Sequence, residues 1–266
     1  MQFGSVQRWP YPFGEGRGEV KDLFSAQAEV YAKYRPAYPK ELFEYILQFV
    51  KEKNCAWDCA TGNGQAAKVL SEHFTKVEAT DISEAQLKNA FQKENIHYGV
   101  SSAETTPFPH NSFDLITVAT AYHWLNWEAF HKEALRVGKQ NAVVAVWCYY
   151  TCLTDDEKVN KLYNHFYNDI TGPYWDNERR FVDEQYKTVD FNFDPLPIKN
   201  FETVLQWNKE AFIGYLSTWS SVQKYMKTHG SSPVELIKDD LDKLWDDDEI
   251  KTVRFPLCLK LGRIVK

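Results

Sequence analysis

The chain has 266 residues, 44% of them hydrophobic and 26% charged, with 31 Lys and Arg against 37 Asp and Glu for a net charge of -6. That length suits one large domain or a core with insertions, and the acidic balance argues against nucleic-acid phosphates or an anionic membrane as partners. The longest apolar run, Phe113 to Ala121, is far short of the roughly 20 residues that span a bilayer, and nothing near the start reads as a secretory signal, so a cytoplasmic protein is expected.

Residues 1–30 carry Gly4, Pro10, Pro12, Gly14, Gly16 and Gly18 and read as an irregular arm. From Pro39, the positions Leu42, Phe43, Ile46, Leu47 and Val50 recur at helical spacing, which predicts an amphipathic helix over 39–52 opened by a proline. A strict alternation follows. Strands are expected at 55–58, 76–80, 96–100, 113–120 and 142–147, with helices at 65–73, 83–93 and 127–137. Ser83 and Gln86 form a capping pair for the second of these helices, and the unbroken apolar run of 113–120 marks a strand buried on both faces. Such alternation predicts a parallel sheet with right-handed crossovers, an open α/β fold. Past Tyr150 the regularity lapses. Residues 151–190 read as helices broken at Thr171-Gly172-Pro173, 198–207 and 250–261 alternate like strands, and 209–227 and 233–246 are helical between them. The run Asp246-Asp247-Asp248-Glu249 reads as a solvated helix end.

Aromatic residues make up 15% of the chain. Tyr163, Phe166, Tyr167, Tyr174, Trp175, Tyr215, Trp219 and Tyr225 are interleaved with charge rather than set in one stripe, which predicts a second apolar surface turned toward a ligand. The five cysteines include no C-x-x-C pair; Cys55/Cys59 and Cys148/Cys152 are spaced by four, and packed, reduced thiols without a metal are expected.

The sharpest signal is Asp58-Cys59-Ala60-Thr61-Gly62-Asn63-Gly64-Gln65, at the end of the first strand and the start of its helix. In an open α/β sheet, ligands bind beyond the carboxyl ends of the strands, where this turn falls. Gly62-x-Gly64-x-x-Ala67 also fits the dinucleotide pattern, but a carboxylate at Asp58 would repel a pyrophosphate and attract an ammonium or sulfonium. Asp81 ends the next strand and is placed to accept hydrogen bonds from ribose hydroxyls. The bland alternative is that both aspartates only cap helices.

These residues, followed by Ser102-Ala103-Glu104, Pro107-Phe108 and Asn111-Ser112-Phe113-Asp114, resemble the class I S-adenosylmethionine-dependent methyltransferases over 55–150. Tyr31-Ala32-Lys33-Tyr34-Arg35-Pro36, His123-Trp124, and Tyr174-Trp175 with Arg179 resemble the subgroup related to trans-aconitate methyltransferase. Ala60 departs from the family, where glycine is common. The resemblance implies a Rossmann-like, mostly parallel seven-stranded sheet with an antiparallel last strand and a helical cap. It implies that Ala60, Gly62 and Gly64 pass under the methionine moiety, with Asp58 near its ammonium. Asp81 would hold the ribose, Ile82 would pack on the adenine, Ala103 and Glu104 would lie at the adenine edge, and Ala119 near the sulfonium.

On the acceptor side, His123 is the candidate general base, if it does not simply pack the rim. Tyr34 and Arg35, with Trp124 and Trp175, are candidate substrate contacts; the tyrosines of 31–38 would otherwise be helix packing. Arg179 and Arg180 could bind a carboxylate, or pair with Glu178, Asp183 and Glu184 nearby. The expected organisation is an arm or lid over 1–38, a cofactor-binding core over 39–150, and cap insertions plus the last two strands over 151–266. The expected partner is a small-molecule methyl acceptor, in a monomer or homodimer. The rival readings are an NAD(P)-dependent oxidoreductase and an inactive binding module with the cofactor fold.

Overall fold

A computed structural model describes residues 34–266 together with the backbone of a two-residue strand, Gln7–Arg8; the rest of the expected arm, Tyr31 included, lies outside the described residues. One mixed sheet carries the molecule. Its strands are β1 (Gln7–Arg8), β2 (Cys55–Cys59), β3 (Lys76–Asp81), β4 (Ile96–Val100), β5 (Phe113–Ala119), β6 (Gly138–Tyr149), β7 (Leu153–Thr154), β8 (Asp194–Pro195), β9 (Phe201–Trp207) and β10 (Lys251–Arg263). The order is β1-β4-β3-β2-β5-β6-β10-β7, with β8 and β9 also paired to β10. Strands β4-β3-β2-β5-β6 run parallel, whereas β10 is antiparallel to both β6 and β9. The expected Rossmann-like methyltransferase sheet with its antiparallel last strand is therefore present, and the two-residue strands β1, β7 and β8 extend it.

Strand β6 explains why the sheet is covered on both sides. Val143, Ala145, Trp147 and Tyr149 pack into one hydrophobic cluster, and Val144, Val146 and Cys148 into the other. Period-two alternation of apolar side chains on both faces leaves no face for water. On the first face lie helices α1 (Lys40–Leu47) and α2 (Gln65–Leu70); on the second lies α4 (Trp127–Val137), after the short α3 (Glu84–Lys88). Asp114 belongs to the opposite end of the sheet from the glycine turn. Its carboxylate accepts from the amides of Asn54 and Cys55 and from Lys139, which pins the entry of β2 to β5.

Several expected helices are shorter than their pattern: the one over 39–52 ends at Leu47 and the one over 65–73 at Leu70. Ser83 does cap α3, accepting from the Gln86 amide, but the helix stops at Lys88. The backbone of Phe91 is held instead by Asn63 and by the Tyr98 hydroxyl, which pulls the chain away from the helix axis. The expected 209–227 helix is two, α7 (Lys209–Ser217) and α8 (Ser220–His229), parted at Thr218 and Trp219. The segment 151–190 holds α5 (Glu157–His165), a π-helical turn over Phe166–Ile170 and α6 (Arg179–Asp183); α9 (Lys238–Leu244) follows the 3-10 turn Pro233–Leu236.

Most aromatics of these segments belong to the core, whereas Tyr174 and Tyr225 pack on each other outside it, ring centroids 5.1 Å apart. Tyr163, Phe166, Tyr215 and Trp219 are buried in the same cluster as Phe255 and Leu257 of β10. The acidic run is not wholly solvated either, since Asp247 pairs with Lys209 and Glu249 with Lys251. Among the described residues, no helix is long and apolar enough to cross a membrane.

Candidate active site

The turn after β2 is built on unusual backbone. Ala60, Gly62 and Gly64 all have positive φ, at 53°, 55° and 81°, and Thr120, just past the end of the adjacent β5, has 54°. A non-glycine residue in this region costs on the order of 1 kcal/mol. Ala60 therefore keeps the turn despite its Cβ. Two strained residues at the ends of neighbouring central strands mark one place where the surrounding fold holds a costly shape. A Cβ on Gly62 would meet nothing within 4 Å, so the backbone there is bare and open to a ligand. Gly64 is different: a Cβ there would lie 2.3 Å from the Tyr98 hydroxyl, so this glycine makes room for packing beneath the turn.

Asp58 is the internal strut of the turn. It is 1% exposed; its Oδ2 accepts from the Thr61 hydroxyl at 2.5 Å and the Ala67 amide at 3.0 Å, and its Oδ1 from the Thr117 hydroxyl at 2.8 Å. Burial raises its pKa from 3.8 to about 6, against the three donors that favour the ionised form. Thus the carboxylate is spent on holding the loop, and any effect on a cationic ligand acts through space.

Asp81 ties both sides of the crevice. Its Oδ2 accepts from the Gly62 amide and its Oδ1 from the Ser83 amide, each at 2.8 Å. Ile82 is half-buried beside it. Glu104 receives the Asn126 amide at 3.0 Å and the Ser102 hydroxyl, and Ala103 is buried in the second cluster. Ala119 is half-buried at the end of β5. The structure brings all of these to the carboxyl ends of β2, β3, β4 and β5.

A second group gathers over β5 and β6. The Tyr38 hydroxyl is 2.9 Å from the Thr120 hydroxyl, and its ring lies 5.5 Å from Trp147 and 6.4 Å from Tyr149. Arg35 donates to the Tyr149 hydroxyl at 2.8 Å and to the Thr218 carbonyl at 3.2 Å, with its guanidinium 5.7 Å from the Tyr215 ring. Tyr34 reaches Glu210 and covers Gly214. Residues 34–38 therefore lie across the strand ends and onto α7. From Tyr215 the contacts continue to Trp219 at 5.7 Å and Trp175 at 5.4 Å. Arg179 lies 5.0 Å from the Trp175 ring and donates to the Tyr167 hydroxyl, the Tyr150 carbonyl and Asp183. The Asp183 pairing weighed from the sequence is thus present, and it engages only one of the guanidinium nitrogens. Arg180 is exposed and turned to Phe181.

His123 is 6% exposed, with Nδ1 2.8 Å from the Tyr186 hydroxyl. Burial, reinforced by the Arg179 charge, lowers its pKa from 6.5 to about 3. It is a neutral hydrogen-bonding group at physiological pH, and a weak base. Trp124 is half-buried, 4.8 Å from the His123 ring.

Several partners were not evident in the sequence. Thr61 and Thr117 hold Asp58, and Tyr149 and Tyr150 hold the two arginines; the tyrosine pair at the end of a predicted strand was a usable signal. Tyr186 carried none, because its place beside His123 depends on left-handed backbone at Gln185 and Tyr186, 63 residues away.

A family described as a methyltransferase domain matches residues 57–146. A Dictyostelium discoideum protein, provisionally named a methyltransferase, is 31% identical over 251 residues, covering 91% of this chain and 95% of its own. The solved structure of a protein from Anaeromyxobacter dehalogenans, provisionally named a type II methyltransferase, superposes with a TM-score of 0.80 at 33% identity, covering 87% of this chain and 99% of the other. At the level of fold alone, a crystal structure from Bacillus halodurans with a provisional methyltransferase name gives a TM-score of 0.50 at 20% identity, over 86% of this chain and all of the other.

Proposed function

Since the chain belongs to the class I S-adenosylmethionine-dependent methyltransferases, we propose that it uses S-adenosylmethionine to methylate a small acceptor bearing a carboxylate. The observation that carries this reading is the split of charge along one path of contacts. Asp58, Asp81 and Glu104 stand at the glycine-turn end, and Arg35 and Arg179, the latter bound to Asp183 through one nitrogen only, stand in the aromatic wall beyond Thr120. The acidic end suits a cation, and the two guanidinium groups suit an anion.

The bare backbone over Gly62 fits a ligand that must lie against the turn. Asp81, held by amides on both sides, presents a carboxylate whose oxygens can each accept further hydrogen bonds from ribose hydroxyls. Ile82 and Ala103 would flank the adenine, Glu104 would meet its edge, and Ala119 would lie near the sulfonium. When bound, S-adenosylmethionine supplies a methyl group already activated by positive sulfur. The protein's part is then alignment and exclusion of water. Arg179 and Arg35 orient the acceptor's carboxylate, while Tyr38, Trp175 and Trp219 screen the reacting end. His123, neutral and hydrogen-bonded, is cast as a positioning group at the rim with Trp124. Residues 39–150 would bind the cofactor, 34–38 would act as part of a lid, and the insertions of 151–266 would choose the acceptor.

Calorimetry with S-adenosylhomocysteine, followed by methyl transfer from radiolabelled S-adenosylmethionine to a panel of small carboxylates, tests both halves. Binding without turnover on any carboxylate would remove the acceptor assignment; binding of NADH in place of the adenosyl ligand would remove the cofactor.

A further inference from the structure

Cys148 and Cys152 are four residues apart in the sequence, and the fold sets them on opposite faces of the sheet. Cys152 is buried in the first cluster, whereas Cys148 lies on the second face of β6. There it stands directly across the antiparallel ladder from Cys258 of β10, and the two sulfurs are 3.2 Å apart. All five cysteines are free. Directly opposed residues of antiparallel strands have Cα atoms roughly 4.5 to 5.5 Å apart, inside the range that a disulfide spans without moving the backbone.

We propose that Cys148 and Cys258 form a reversible oxidation site, closed to an intrachain disulfide by a hydroperoxide. Cys258 is the half-exposed member of the pair and Cys148 the buried one, so an oxidant reaches Cys258 first. Its thiolate attacks one peroxide oxygen, the O–O bond breaks, and the other oxygen leaves as alkoxide and is protonated to alcohol or water. The sulfenic acid on Cys258 is then attacked by the Cys148 sulfur, which loses its proton as the S–S bond forms and water departs. Two thiols are oxidised by two electrons, and one peroxide is reduced. The contact between the thiols favours this order, since the hydrogen bond from Cys148 lowers the Cys258 pKa while burial raises that of Cys148.

The location gives the bond a consequence. Cys148 immediately precedes Tyr149 and Tyr150, whose hydroxyl and carbonyl receive Arg35 and Arg179. On its other side, Cys148 adjoins the Tyr186 hydroxyl that holds His123. A disulfide here fastens the strand end from which both arginines hang.

The test is titration of the full chain with hydrogen peroxide, with thiol counting and peptide mapping under non-reducing conditions. The expected result is loss of two of the five titratable thiols, a linked peptide joining Cys148 to Cys258, and full recovery with dithiothreitol. Cys258→Ser should abolish the loss, and Cys152→Ser should leave it intact. Mapping of the unmutated protein decides the matter even if a variant fails to fold. An unchanged thiol count, a different pairing, or oxidation of Cys258 to sulfinic acid without a link would overturn the proposal.

Discussion

Asp58→Asn offers a quantitative test of the strut beneath the glycine turn. The buried carboxyl has its pKa raised from 3.8 to about 6, with burial as the main cause. A folded-state pKa above the unfolded one means that its contribution to stability is fully present below about pH 3.8 and is lost as pH rises through about 6. At about 1.4 kcal/mol per pH unit, the ionised wild-type carboxylate costs about 3 kcal/mol at pH 8. Asn keeps the shape. Its carbonyl can accept from Ala67 and Thr61, and its amide can donate to the Thr117 hydroxyl, which rotates to receive it. The variant should therefore gain up to about 3 kcal/mol over wild type at pH 8, with the gain fading as pH falls toward about 4. Urea denaturation of both proteins across this range reads the difference directly. Parallel curves, with a constant gap at every pH, would refute the argument that a buried charge sits at this position.

Gly64→Ala should destabilise by about 2 kcal/mol or more, combining left-handed strain with the close approach to Tyr98, and Tyr98→Phe in the same chain should recover part of the loss in thermal melts. By contrast, Gly62→Ala should cost only about 1 kcal/mol of stability, since nothing opposes its Cβ, and should show its larger effect in calorimetry with S-adenosylhomocysteine. His123, with its pKa lowered to about 3, should show no imidazole titration by NMR at any pH from about 5 to 8; an inflection near 6.5 would contradict its burial. Asp81→Ala should weaken S-adenosylhomocysteine binding by about 1.5–3 kcal/mol, whereas equal affinity would reduce Asp81 to a brace between Gly62 and Ser83.

The sheet was legible because its strands obey local rules: β5 is a continuous apolar run, and α4 has a clean helical stripe with its ends where the pattern put them. The glycine turn was legible because few side chains tolerate that backbone. What escaped were contacts made by the fold itself. Nothing local announces that Arg179 will lie on Trp175 while Arg35 reaches Tyr149, or that Cys148 will face Cys258 across the ladder. The aromatic surplus was legible as unusual, but composition cannot tell a ligand wall from a core that continues into one. Trp219 belongs to that continuous core.

The position of β10 bears on how the molecule can be made. It runs between β6 and β9, paired along both of its edges, although it is the last strand in the chain. On a ribosome, where the whole chain takes on the order of tens of seconds to appear, β6 and β9 must wait with unpaired edges while the helices over 209–244 are added. Exposed strand edges recruit other chains, so this interval is when the protein is most open to aggregation. A ribosome that stalls before residue 251 would leave a product with the parallel strands β2 to β6 made and the sheet unclosed, a species for chaperones.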